Sequence, residues 1–259
     1  MNDNKNGVRP HFQMELLVGE DGGENGVRPH SPRIRVSARA RRLSIRVYPD
    51  ARVEVVVPPR VKPREVEAFI AAHREWIDNR RAIALRNRPE PQPFPPAAIA
   101  LRISREEWRV HVTNVTGAVR VLEAGQGILR ITGAATAPRL RASLRSWLMR
   151  AARARLAPRL AALAERMGVS YSQISVRRQR SRWGSCSARG TISLNCCLLF
   201  QRPEVVDYLI VHELTHLKHM NHSARFWQAV ERHCPDWRAL DRELVQGWRH
   251  VPHWVFSNE

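Results

Sequence analysis

Five consecutive residues constrain this chain more than its composition does. His212-Glu213-Leu214-Thr215-His216 fits H-E-x-x-H. Residues four apart lie on the same face of an α-helix. On a helix the two imidazoles therefore share one ion, and Glu213, one step round, reaches a water on it. Val205, Val206, Leu209, Ile210 and Leu217 are the apolar neighbours that such a helix needs. Pro203 suits its first position and Glu204 its positive end, so the helix is expected to run from Pro203 to about Met220. His222 comes six positions after His216 and just after Asn221, where the chain turns back and offers a third ligand. Three protein ligands plus a water is the pattern of catalytic zinc, whereas structural zinc closes all four positions. Two other readings stand beside it: ordinary histidines on a His-rich helix, or a closed zinc site with Cys186 as fourth ligand.

The spacing of His212, His216 and His222 equals that of the metzincin pattern H-E-x-x-H-x-x-G-x-x-H, but His219 replaces the glycine of its sharp turn. His219 is then a group behind the ligands, a group facing substrate, or a solvated histidine.

At about 150 residues per domain, 259 residues make between one and two domains. No apolar run approaches the roughly 18 residues of a membrane span, and no basic-then-apolar leader opens the chain. The four cysteines, Cys186, Cys196, Cys197 and Cys234, form no C-x-x-C pair. That argues against a zinc ribbon or disulfide framework and for a reducing, cytoplasmic setting. The formal net charge is +19, and arginine supplies 40 of the 43 cations. Between Arg139 and Arg182 stand twelve arginines and one acid, Glu165. Within that stretch, Arg145, Arg150, Arg153, Arg177, Arg178 and Arg180 are candidates for a surface facing nucleic acid or a nucleotide.

Residues 1–32 read as a poorly ordered leader containing Asn6–His11 and its duplicate Asn25–His30. Residues 33–86 form a β-β-α section: a strand period over 33–48, a turn at Pro49-Asp50, a second strand at Val53–Val57 and one helix over 63–85. Residues 87–97 are a Pro-rich connection. Residues 98–136 carry short strands near 98–103, 108–112, 118–122 and 128–131. Residues 137–251 form the core unit, and 252–259 a tail. Within the core unit a long helix runs from Pro138 to Met167, stopped by Gly168. Strands follow at Ile174–Val176, running on toward Trp183, and at Thr191–Cys196. Two helices after the metal-bearing one cover 223–233 and 236–249.

Arg182-Trp183-Gly184-Ser185-Cys186, Ile192-Ser193-Leu194-Asn195, the H-E-x-x-H run, Asn221-His222-Ser223 and Phe226-Trp227 together resemble the YgjP-like metallopeptidases, relatives of the SprT-like and WLM-type zinc proteases. The resemblance covers roughly Ile34 to Val251. It implies an α+β fold: a β-rich N-terminal section, then a compact zincin-like core of a long helix, a short antiparallel sheet and the H-E-x-x-H helix. It implies one Zn2+ held by His212, His216 and His222, with Glu213 as catalytic acid/base and a peptide or protein as substrate. In the Arg182–Cys186 run, Trp183 anchors the sheet and Gly184 lets another backbone approach. Arg182 and Ser185 are candidates for contact with substrate, with His219 and Asn221. Phe226 and Trp227 pack behind the site. The arginines keep two alternatives open: a metal-dependent nucleotide pyrophosphohydrolase, or a protease or binding module associated with nucleic acid.

Overall fold

A computed structural model describes residues 32–48, 50–86, 92–133, 136–180 and 182–257. The leader through 31 with its duplicated segment, Pro49 of the expected turn, residues 87–91 of the connection and the last two tail residues lie outside the described residues. The fold is α+β, with three small sheets and six α-helices among the described residues.

The first sheet joins β1 (Arg33–Val36), β2 (Ser44–Val47) and β3 (Val53–Val57) in the order β1-β3-β2. The strand expected over 33–48 is two, β1 and β2, parted at 37–43; β2 pairs with β3 antiparallel, and β1 adds on the far side of β3 in parallel. The expected single helix over 63–85 is two, α1 (Pro63–Ala72) and α2 (Arg74–Arg86), parted at His73. The break lets Val66 pack on Val55 and Val57 while Ile77 packs on Val47 and Val53.

β4 (Ala98–Leu101), β5 (Glu106–Thr113), β6 (Arg120–Glu123) and β7 (Ile128–Thr132) form the second sheet, ordered β4-β5-β7-β6. Strand alternation turns Ile99, Leu101, Trp108, Val121, Leu129 and Ile131 inward. Against them lies α3 (Ala137–Met167), whose 31 residues span about 46 Å at about 1.5 Å each. Gly168 ends it in the left-handed conformation, φ 60°. Its apolar stripe, Leu140 through Leu163, is buried. On its polar side Arg155 binds Glu106 at 2.5 Å and Arg159 forks onto Asp207.

β8 (Gln173–Arg177), β9 (Gly184–Cys186) and β10 (Thr191–Asn195) make the third sheet, ordered β8-β10-β9. β8 does not run on to Trp183. The chain leaves the sheet after Arg177 and returns as β9, a hairpin partner of β10 that the sequence pattern did not reveal. Because β9 intervenes, β8 lies parallel to β10, and the sheet is mixed rather than wholly antiparallel. α4 (Pro203–Thr215), α5 (Ala224–His233) and α6 (Trp237–Gln246) complete the core. One apolar cluster runs from Ile99 through α3 and α4 to Val255, and the N-terminal unit keeps its two small clusters to itself. No helix among the described residues is long and apolar enough to cross a membrane.

Candidate metal centre

Three valines, two leucines, an isoleucine and Tyr208 are buried along α4, on nearly all its sides. The helix stops at Thr215, not at Met220. From there the backbone tightens, with Leu217 N–H on the Leu214 carbonyl and His219 N–H on the Thr215 carbonyl at 3.0 Å. No residue of 216–222 takes a positive φ, so this turn works without the glycine whose place His219 fills.

The early stop brings His222 back onto the helix. Ligand atoms of His212, His216 and His222 lie within 4.8 Å of one another, and the Nε2 atoms of His212 and His222 are 3.1 Å apart. Cys186 is not a member of this cluster. The His216 ring is buried, and its Nδ1 meets the His219 carbonyl at 3.0 Å. A donating Nδ1–H leaves Nε2 as the ligand atom. Burial lowers the His216 pKa and favours the neutral ring that metals bind. His219 therefore serves the site through its backbone.

Behind the cluster, Phe226 packs 4.6 to 4.9 Å from all three rings. Trp227 stacks on His222 (5.6 Å, 28°) and on Trp237 (4.1 Å, 16°). The second stack, which ties the α5 support to α6, was not foreseen.

Glu213 is 5% exposed, and its Oε2 has no hydrogen-bond partner among the described residues. Burial pushes its carboxyl up to about 8, and the Arg182 guanidinium opposes that shift. Gly184 on β9 faces it. A Cβ there would stand 2.7 Å from Glu213 Oε1 and 2.9 Å from its Cγ. The glycine thus makes room for a carboxylate rather than for another backbone. Strand alternation turns Cys186 to the same face as Gly184 and Ser185 to the other. Burial and Glu213 raise the Cys186 thiol to about 11, which makes it a poor nucleophile. Trp183 stacks on Trp248 at 4.2 Å and anchors the sheet to the C-terminal turns. Asn221 is exposed; with the half-buried His219 it lines an open depression of about 540 Å3.

Of the six arginines, three are engaged by the C-terminal segment. Arg145 donates to the carbonyls of Trp254 and Ser257, Arg178 to that of Val255 and Arg180 to that of Phe256. These three hold the C-terminal segment. Burial and the neighbouring Arg178, Arg141 and Arg180 lower Arg145 to about 10. Arg178 stays exposed even so, as do Arg150, Arg153 and Arg177.

A model of the YgjP-like metallopeptidase domain matches residues 41–246. The chain belongs to the YgjP-like family. The matched stretch takes in β2, β3 and both N-terminal helices as well as the histidine cluster, so the YgjP-like unit is larger than its metal-bearing core. Family membership makes this YgjP-like chain a metallopeptidase, hence a hydrolase that uses a metal ion. It is also similar to the metallopeptidase zymogen of Pyrococcus abyssi abylysin, a crystal structure, at 26% identity over 34% of this chain and 90% of that one, with a TM-score of 0.32. No curated protein sequence matches the chain.

Proposed function

We propose that this chain is a zinc peptidase in which His212, His216 and His222 hold the ion and Glu213 moves the proton. The observation that carries the reading is the meeting of three imidazoles beside a buried carboxylate whose Oε2 has no partner among the described residues. The donor set fits the metal, since neutral imidazoles are ordinary zinc ligands and three of them leave a position open. Bound zinc lowers the pKa of water toward about 7 and polarises a carbonyl.

The protein supplies the rest. The His219 carbonyl orients His216, and Phe226 and Trp227 brace the rings. Glu213 takes a proton from the attacking water and returns it to the departing amine. Arg182, beside Glu213, is the cation placed to steady negative charge as the carbonyl is attacked. Among the described residues β9 pairs with β10 alone, and it packs against α4. Its open edge suits an extended peptide added as a further strand. Of the six arginines offered for an anionic substrate, three already hold main-chain carbonyls, so the peptide is the better substrate.

The test compares zinc-loaded wild type with Glu213→Gln on an unfolded protein and on nucleoside triphosphates. The variant is expected to keep its zinc and lose about 10²- to 10⁴-fold in peptide hydrolysis. Wild-type turnover by Glu213→Gln removes Glu213 from the mechanism. Glu213-dependent release of pyrophosphate without peptide cleavage replaces the peptidase by the phosphohydrolase.

A further inference from the structure

Two loops leave the N-terminal sheet at the same end. Val36 of β1 lies opposite Val57 of β3, and Ser44 of β2 opposite Val56. The β1–β2 connection (37–43) and the β3–α1 connection (58–62) are therefore neighbours, and the Ser37 N–H donates to the Val57 carbonyl at 2.9 Å. Arg39, Arg41 and Arg42 stand on the first, Arg60 and Lys62 on the second, and Arg64 in the first turn of α1. All six side chains are exposed, and none pairs with a carboxylate among the described residues. Neither connection contains an acid, and the nearest in sequence is the exposed Glu65, next to Arg64 in the first turn of α1. The sheet's own acids are used elsewhere. Glu54 is buried against Tyr48, Arg35 and Arg46, and Asp50 lies in the turn at the opposite end beside Arg52.

We propose that this end of the N-terminal sheet docks on the phosphate backbone of nucleic acid. Six like charges held together repel one another, and a polyanion relieves that repulsion. Five of the six are arginines, whose planar fork matches two phosphate oxygens. Neither loop carries an aromatic residue that could anchor a protein partner or stack on a base. Recognition is therefore through phosphates and indifferent to sequence. The surface is built by the N-terminal unit, apart from the histidine cluster, so the inference does not depend on the peptidase reading.

The experiment is fluorescence anisotropy of the full chain with a labelled duplex DNA, a scrambled duplex and polyglutamate. Both duplexes are expected to bind alike. Affinity should fall by about 10²- to 10³-fold between about 50 and 200 mM salt, the loss that four to six phosphate contacts impose. R39E/R41E/R42E should weaken binding at least tenfold and reduce the slope of log affinity against log salt by about 3. R150E/R153E reverses exposed charge on α3 and should change binding far less. Neutral R39Q/R41Q/R42Q serves if the reversed loop disturbs folding. The proposal is overturned by no binding at low salt, by wild-type binding of the loop variants, by equal losses per charge from the α3 variant, or by polyglutamate binding as tightly as DNA.

Discussion

Gly184 matters for what it lacks. Any side chain there enters the space of the Glu213 carboxylate, and the stiff α4 backbone cannot retreat. On the proposed mechanism, Gly184→Ala should therefore reduce kcat by at least tenfold and leave the zinc affinity unchanged. The strain should cost about 1–3 kcal/mol of stability, as overpacking does. Steady-state kinetics, zinc titration and thermal melting separate these effects; unchanged kcat would deny Gly184 its role. Trp227 acts on the other side of the site, where it bears on His222 and leans on Trp237. Support of a ligand from behind is typically worth about 10- to 100-fold in metal affinity. Trp227→Ala should lose that much against a competing chelator, and Trp227→Phe should recover part of it.

Helices and strands show where local pattern suffices. α3 was legible because its apolar residues recur at helical spacing and Pro138 and Gly168 mark its ends. Pro158, inside it, breaks that consistency. It cannot donate to the carbonyl one turn back and is tolerated on the exposed face. Pro158→Ala restores a donor, at some cost in chain entropy of the unfolded state. The net effect should be a gain of about 1–2 kcal/mol, read as a higher melting temperature. β9 was not legible. Three residues are too few to display alternation, and its Gly, Ser and Cys carry no strand signature. The ends of α1 and α4 also escaped the sequence pattern. Apolar spacing continues past His73 and past Thr215, and the breaks are set by what each segment must reach.

Across the whole molecule, apolar packing divides the chain unevenly. The cluster around α3 and α4 is large and continuous, whereas Val47, Val53, Val55, Val57, Val66 and Ile77 form two small ones in the N-terminal unit. Facing Arg180 of the core are Arg52, Asp50 and Tyr48 of that unit, a polar meeting. Such a boundary couples the two weakly. Calorimetry should resolve two transitions, the N-terminal unit melting first, with amide exchange in 33–86 faster than in α3. A single transition with matched exchange would show tight coupling instead.

The H-E-x-x-H helix, the third histidine, the long α3 and the strands of the middle section could be read from residues alone. Their evidence is local, in spacings of two to six residues that backbone geometry turns into faces. The tertiary structure alone decided the rest: the glycine of β9 under Glu213, the stack from His222 to Trp237, and the use of Arg145, Arg178 and Arg180 on the C-terminal segment. It also gathered six exposed cations from two separate connections at one end of the N-terminal sheet. Each of these joins residues that only the folded chain brings together, and no periodicity along the sequence encodes such a meeting.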